Sequence, residues 1–348
     1  MKRVGLVGVT GYTGMELARI LLGHPGMRLT QVTSRKEAGK RLAENYPFLQ
    51  GTELSDLMIT APDTSFLAAN CDLVFLAVPH CTAMEMAAEL RAKGARVVDL
   101  SADFRLRSKD VYESWYKVEH TRPDLLPEAV YGLPELYADR IAGASLVANP
   151  GCYPTSAILA LYPALKAGLI SPEDLVVDSK SGTTGAGRKA GVGTLFCEVS
   201  DTFRAYNLTK HRHTPEIEQE LGLAVGREIR LSFNTHLVPM NRGILTTSYA
   251  KLAAGVDLDR VRDTYTGFYA GKPWVRILPA GVLPETRWVR GTNFCDIGLV
   301  TDDRTGRLIT VSAIDNLCRG ASGQAVANAN LMLGLDLSTG LSQAAMMP

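Results

Sequence analysis

KRVGLVGVTGYTGMELARILL, residues 2–22, decides the fold. Lys2 to Val7 is apolar and rich in β-branched residues, as a buried strand requires. From Gly14 to Leu22, Met15, Leu17, Ala18, Leu21 and Leu22 recur at helical spacing. Between the two, Gly8, Gly11 and Gly14 follow a G-x-x-G-x-x-G spacing. Glycines let the backbone approach a pyrophosphate, and a helix N-terminus offers it free N–H groups. A strand before and a helix after supply the context a nucleotide loop needs, with a plain β–α turn as the alternative. Further strands are read at Leu29 to Thr33, Leu73 to Val78 and Val97 to Leu100, with a helical stretch from Ala83 to Lys93. This alternation predicts an α/β domain, a Rossmann-type doubly wound parallel sheet.

Beyond residue 151 the pattern changes. An amphipathic helical run from Ser156 to Lys166 is followed by strand-like runs. These lie at Leu175 to Ser179, Ile229 to Phe233, Ile244 to Ala250, Val275 to Leu278, Phe294 to Val300 and Leu308 to Ile314. Successive strands with few long helices predict an α+β domain with a mixed, mostly antiparallel sheet. The Ala-rich segment from Asn316 to about Leu333 reads as a helix that packs back on the first domain. The expected division is a nucleotide-binding domain of residues 1–150 with 315–348, and a catalytic and dimerisation domain of residues 151–314.

A chain of 348 residues, 46% hydrophobic, has room for about two domains with a core in each. The net charge of +1 gives no electrostatic reason to bind nucleic acid or an acidic membrane. Lys2-Arg3 ahead of Val4 to Val9 is too short a match for a signal peptide, and no apolar run is long enough to span a bilayer. A soluble cytoplasmic protein is expected. The six cysteines are widely spaced with no CxxC pair, so no metal site is expected and the thiols read as reduced.

The end of the second strand indicates the cofactor. An NAD site has Asp or Glu there to bind the ribose 2′-hydroxyl. Here the chain reads Thr33-Ser34-Arg35-Lys36, a hydroxyl and two cations, which suit a 2′-phosphate and hence NADP(H). A solvated basic turn is the alternative.

The second chemical signal is NPGCYPT, residues 149–155. It joins a strand-like run (Ala144 to Ala148) to the helical run that follows. A cysteine after Pro-Gly at a helix start feels the positive end of the macrodipole, which favours the thiolate. Position alone leaves Cys152 open to a nucleophilic or a structural reading. Cys71, Cys81, Cys197, Cys295 and Cys318 read as small buried hydrophobes. Among the histidines, His24 and His120 are expected at the surface. His80 follows Pro79 at a strand end, facing the nucleotide crevice, and His236 lies within a strand as a structural residue. His211 and His213 stand in KHRHTPEIE, residues 210–218. There Thr214 reads as an N-cap and Pro215 as the first helical residue. No third ligand accompanies the pair, so proton transfer and anion binding fit better than metal. Two exposed loop histidines are the alternative.

Ten segments in order along the chain are similar to the N-acetyl-gamma-glutamyl-phosphate reductases of arginine biosynthesis. They include GVTGYTGMEL (8–17), VFLAVPH (74–80), VDLSADFRL (98–106), NPGCYPT (149–155), KSGTTGAGR (180–188), HRHTPEI (211–217) and AIDNLCRGASGQAVANANLM (313–332). The aspartate-semialdehyde dehydrogenases are broader kin. The resemblance implies NADPH-dependent reduction of N-acetyl-L-glutamyl 5-phosphate to the 5-semialdehyde plus phosphate, through a cysteine thioester. It implies Cys152 as nucleophile, His211 as acid/base, His213 as a substrate contact and Arg105 as a phosphate ligand. Tyr206, Asn207 and Arg188 are further substrate candidates. Gly8, Thr10, Gly11, Tyr12, Thr13, Gly14, Ser34, Arg35 and Pro79 would contact NADP(H), together with Ser181, Gly182 and Gly185 of a second glycine loop and Asn316. The partners implied are a small acyl phosphate, inorganic phosphate and other copies of the chain in a homodimer or homotetramer. Rival readings are a paralogue acting on aspartyl phosphate or on free or carrier-bound aminoadipyl phosphate, and a nucleotide-binding regulator with a redox-sensing cysteine.

Overall fold

The computed structural model describes residues 1–347 and places Lys2–Val7 inside a seven-stranded, wholly parallel sheet. Its strands are β1 (Lys2–Val7), β2 (Met27–Thr33), β3 (Ile59–Thr60), β4 (Leu73–Leu76), β5 (Arg96–Asp99), β6 (Val130–Tyr131) and β7 (Leu146–Ala148). They lie in the order β3-β2-β1-β4-β5-β7-β6. The chain steps outward from β1 through β2 to β3, then returns beside β1 as β4. The β1/β4 boundary is therefore a topological switch point, where ligands bind beyond the carboxyl ends of such sheets. All four residues of β4 and Val4 to Val7 of β1 are buried. Strands covered on both faces read as unbroken apolar runs, which is why the sequence shows them clearly.

The chain divides into two compact units. One is Met1–Pro150 with Ala321–Ser342; the other is Gly151–Gly320 with the residues from Gln343. In the first unit the helix Gly323–Met332 is buried along almost its whole length and packs on the helix Pro134–Ala142. Asn328 Nδ2 ties it down, donating to the Gly132 carbonyl (2.9 Å) and to Asn149 Oδ1 (3.0 Å). A π-helical turn, Cys318–Ser322, precedes this helix. Two histidines correct the sequence reading. His24 and His120, expected at the surface, are 4% and 1% exposed. His24 Nδ1 accepts from the amides of Gly26 and Met27, and its Nε2 donates to Asn330 Oδ1 (3.0 Å). His120 Nε2 donates to the Asp103 carbonyl (2.6 Å), with its ring edge-on to Tyr112 and Phe104. Both His24 nitrogens are bonded, which lowers the cost of burying its ring, whereas His120 is bonded through Nε2.

The second unit carries a mixed sheet. Its strands are β8 (Leu175–Ser181), β9 (Arg204–Tyr206), β10 (Leu231–Leu237), β11 (Ile244–Lys251), β12 (Val275–Ile277), β13 (Cys295–Asp302) and β14 (Arg307–Ile314), in the order β12-β13-β14-β11-β8-β10-β9. The β8/β10 and β12/β13 pairs are parallel and the other four neighbouring pairs antiparallel. The helix Cys152–Lys166 lies on β11 and β14. Small hydroxyls let it come close, with Ser156 and Ser312 sharing a hydrogen bond of 2.7 Å. The helix Leu258–Tyr269 packs beside it, and the Tyr265 and Tyr269 hydroxyls donate to the Ala160 and Leu159 carbonyls. Two cysteines depart from the buried reading: Cys197 is exposed and Cys81 half-buried, whereas Cys71, Cys295 and Cys318 are buried.

Candidate active site

Cys152 is the first residue of a 15-residue helix, four positions earlier than the apolar periodicity indicated. Gly151 is the N-cap in an extended conformation, and no side chain caps the helix. The helix dipole and the first-turn amides favour a thiolate and developing negative charge beside it. The turn is anchored from two directions. The Gly151 N–H donates to Glu216 Oε1 (2.8 Å), a carboxylate only 1% exposed. The Gly151 carbonyl accepts from the Thr155 amide (3.0 Å) and hydroxyl (2.9 Å).

Two glycines leave the room the cysteine needs. A Cβ on Gly151 would lie 2.5 Å from His213 Nε2, so this imidazole rests directly on the turn. A Cβ on Gly320 would lie 2.7 Å from Cys152 Cβ. Gly320 is itself held, its amide donating to the Asp315 carbonyl (2.9 Å). The buried Asp315 carboxylate accepts from the amides of Leu317, Cys318 and Gly291, and pairs bidentately with Arg242 at 2.8 and 3.0 Å.

The histidine pair packs against the same helix turn. The His211 and His213 rings are 4.8 Å apart, and Tyr153, next to Cys152, meets them edge-on at 5.3 and 5.9 Å. Phe233 and Tyr206 complete the enclosure of His211 at 5.2 and 5.8 Å. Burial, with Arg212 second, lowers the His211 pKa to about 4. The Tyr153 and Tyr206 hydroxyls are 2.7 Å apart, tying β9 to the cysteine helix. Burial raises both phenols, Tyr206 to about 12, so both are neutral at physiological pH. The helix that follows the histidines is Thr214–Val225, and its N-cap is His213 rather than Thr214. Pro215 fills the second helical position, where its missing N–H costs nothing.

In the first unit the glycine loop has the expected form. Gly8 adopts φ +91°, and a Cβ there would lie 2.3 Å from the Ala77 carbonyl, so only glycine fits between β1 and β4. Gly14 packs as closely on Gly8, and the helix Tyr12–Leu22 starts from Gly11 with no side-chain cap. Thr10, Tyr12 and Thr13 are half-buried around it. The loop thus ends in a helix N-terminus without a side-chain cap, the kind of site that suits a pyrophosphate. Ser34 is buried, 3.3 Å from the Thr10 hydroxyl, while Arg35 and Pro79 are exposed. The residues that directly follow β2 are Ser34, Arg35 and Lys36, none of them a carboxylate.

Beyond β4, His80 is half-buried and Cys81 is held at φ +68°. Asp103 fixes that turn, accepting from the Cys81 and Ala83 amides (2.7 and 2.9 Å) and the Tyr112 hydroxyl (2.8 Å). Ser101 links Asp103 to Asp99, whose carboxyl is pushed up to about 7 by burial and then by Asp103. Arg105 is buried, and its guanidinium donates to the carbonyls of Asn149 (2.8 Å) and Leu100 (3.0 Å). These bonds make it a brace for the chain entering the cysteine turn. Asn316 in the second unit is likewise engaged, accepting from the Gly243 amide (2.7 Å) and donating to Thr184 Oγ1 (2.9 Å). It ties down the loop containing Gly182 and Gly185, next to the buried Ser181; Arg188 and Asn207 are exposed. Glu216, Tyr153, Gly320 and the Arg242–Asp315 pair carry no sequence signal of their own. Among the described residues no cluster of three or more His, Cys, Asp or Glu side chains could hold a metal ion, and no helix is long and apolar enough to cross a membrane.

Comparison with known proteins identifies the family. Residues 3–144 match the family described as semialdehyde dehydrogenase, NAD binding domain, and residues 152–316 match semialdehyde dehydrogenase, dimerisation domain. An N-acetyl-gamma-glutamyl-phosphate reductase of Pelotomaculum thermopropionicum is 51% identical over 347 residues, 99% of each chain. One from Geobacter is 52% identical over 342 residues, 98% of each chain. Among solved structures, aspartate semialdehyde dehydrogenase II of Vibrio cholerae, complexed with ASA, superimposes with a TM-score of 0.71 at 16% identity, covering 96% of this chain and 98% of that one. The Candida albicans enzyme with NADP gives 0.70 at 17% identity, covering 96% and 99%. At such identities the likeness is one of fold. The chain is an oxidoreductase with a nicotinamide-cofactor domain, and it belongs to the N-acetyl-gamma-glutamyl-phosphate reductase family.

Proposed function

We propose that this chain reduces N-acetyl-L-glutamyl 5-phosphate to N-acetyl-L-glutamate 5-semialdehyde with release of phosphate, through a thioester on Cys152, in arginine biosynthesis. The observation that carries the reading is Cys152 at an uncapped helix start between Gly151 and Gly320, with the His213 ring against Gly151 and the His211 ring 4.8 Å from it. The Cys152 thiolate attacks the acyl carbon, the C–S bond forms and the C–O bond to phosphate breaks. Phosphate leaves and takes a proton from water. NADPH supplies the hydride that reduces the thioester carbon. Collapse of the resulting alkoxide breaks the C–S bond and returns the thiolate. The first-turn amides of the Cys152 helix stabilise the oxyanion in both steps, and the histidine pair serves the same oxygen and the sulfur. The cysteine makes the acyl group electrophilic after phosphate has gone and holds it in place for reduction.

Supporting NADP(H) over NAD(H) are Ser34, the exposed Arg35 and the want of a carboxylate among the residues directly after β2. Residues 1–150 with the C-terminal helical segment would form the NADP-binding domain, and residues 151–314 the catalytic and dimerisation domain of a cytoplasmic homodimer or homotetramer. The test is phosphate-dependent oxidation of N-acetylglutamate semialdehyde, followed by NADPH appearance, with NAD and with aspartate and aminoadipate semialdehydes in parallel. Turnover with another semialdehyde and none with the N-acetylglutamyl substrate would refute the substrate assignment.

A further inference from the structure

Cys81 carries a backbone strain that its neighbours impose. It lies in the turn that leaves β4 for the helix Met84–Ala92, and its φ of +68° puts an L-residue in the left-handed region. Such a conformation persists only where the surrounding structure holds it. Here the holder is Asp103, a fully buried side chain. Its Oδ1 accepts from the Cys81 amide (2.7 Å) and the Tyr112 hydroxyl (2.8 Å), and its Oδ2 accepts from the Ala83 amide (2.9 Å). Asp103 is itself fixed through its backbone. Its amide donates to Ser101 Oγ (3.1 Å), and its carbonyl accepts from His120 Nε2 (2.6 Å). Burial, and then the contact with Cys81, raises the Tyr112 phenol, which therefore stays a donor. The Tyr112 ring stacks on Tyr116 at 4.6 Å, and Tyr116 meets the His80 ring edge-on at 5.9 Å, so aromatic rings back the turn from the side.

The segment that Asp103 holds begins against the glycine loop, where a Cβ on Gly8 would lie 2.3 Å from the Ala77 carbonyl. It leaves the sheet at the β1/β4 switch point, where ligands of such sheets bind. We infer that Asp103 is a positioning residue for the nicotinamide cofactor: by holding the Cys81 and Ala83 amides, it keeps the turn after β4 in the conformation that receives the dinucleotide. The inference rests on the cofactor reading proposed above, with Pro79 among the contacts. Without the tether, Cys81 relaxes to negative φ and carries Pro79 and His80 with it. A cofactor that fits only the strained turn then binds in proportion to the fraction of molecules that keep it.

Asp103→Asn breaks the tether at nearly constant shape, because either orientation of the carboxamide turns its NH2 group against a backbone N–H. If the strained turn then falls to about one-tenth of the population, the Kd for NADPH, read by titration calorimetry, rises about tenfold. The kcat at saturating NADPH should stay within about threefold of wild type, since bound cofactor restores the turn. Tyr112→Phe keeps the ring stack and both amide bonds, so its Kd should stay within about twofold of wild type. The wild-type protein gives a measurement that needs no variant to fold. Hydrogen exchange followed by NMR should show the Cys81 and Ala83 amides protected without cofactor, and more strongly protected with NADPH. A wild-type Kd in folded Asp103→Asn with only its urea midpoint lowered, or exchange of both amides at the rate of an open loop, would overturn the inference. Binding of NADH and not NADPH would refute the 2′-phosphate reading instead, and the same comparison of variants would then be decided with NADH.

Discussion

Replacing Gly320 by alanine tests whether the nucleophile's position is set by close backbone packing. The new Cβ would lie 2.7 Å from Cys152 Cβ and 3.1 Å from its Cα, where ordinary contact begins at 3.4 Å. A shift of at least 3.4 − 2.7 = 0.7 Å is needed, and neither side yields easily. Gly320 is tied to Asp315, and the start of the Cys152 helix is tied through Gly151 to Glu216. If a misplacement of about 1 Å costs on the order of 10²-fold in rate, 0.7 Å costs roughly 25-fold. Overpacking should also cost about 1–3 kcal/mol of stability. The assay is kcat for acyl-phosphate-dependent NADPH oxidation, beside NADPH affinity and a urea unfolding curve. The expected result is a kcat loss of that order with NADPH affinity unchanged. Gly267→Ala is the control: it lies exposed in the helix Leu258–Tyr269 with nothing within 4 Å of a Cβ. That change should stabilise by about 0.5–1 kcal/mol and leave kcat alone. A Gly320→Ala enzyme within twofold of wild-type kcat would refute the argument that this contact fixes the sulfur.

Asp315→Ala should cost about 3–5 kcal/mol, read as a lower urea midpoint, because it leaves Arg242 and three backbone amides without their buried acceptor; an unchanged midpoint would contradict this. Asp99 has a carboxyl raised from 3.8 to about 7, so the folded chain binds a proton there that the unfolded chain has lost. Its contribution to stability therefore falls as pH rises from about 4 to about 7 and is flat above that. The urea midpoint of Asp99→Asn, relative to wild type, should rise between pH 5 and pH 7.5, and a constant difference would show that Asp99 ionises normally. Arg35→Ala should raise the KM for NADPH about tenfold or more, by loss of a charge-assisted phosphate contact, and leave that for NADH unchanged. Equal effects on both cofactors would place the 2′-phosphate elsewhere.

What was legible in the sequence followed from periodicity and turn chemistry. The strands β1, β4 and β5 are short apolar runs because both faces are covered, and the Gly8 turn announces itself because no other residue tolerates its backbone. The antiparallel pair β11 and β14 was equally plain, with alternating buried positions along β11. β9, Arg204–Tyr206, left no trace because it holds no β-branched residue, whereas the equally short edge strand β12 shows Val275 and Ile277. Pro-Gly marked the helix start at Cys152, while the apolar periodicity began only at Ser156, and the first turn accepts Pro154. His24 and His120 read as surface residues because polarity alone cannot reveal that backbone groups wait to bond them. Cys152 and the two histidines were visible as residue types in telling places. The parts that fix them were not, because Glu216 meets Gly151 across 65 positions and Gly320 meets Cys152 across a still longer interval. Arg105 shows the same limit: the resemblance implied a phosphate ligand, and its bonds to the carbonyls of Asn149 and Leu100 could not be read from the sequence.

The most direct measurement is mass spectrometry of acid-quenched enzyme mixed with N-acetylglutamyl phosphate in the absence of NADPH. The peptide containing Cys152 should gain one N-acetylglutamyl group, removable by hydroxylamine and discharged as semialdehyde when NADPH is added before the quench. An unmodified Cys152 peptide under conditions of full turnover, or an acyl group carried on another residue, would contradict the covalent route.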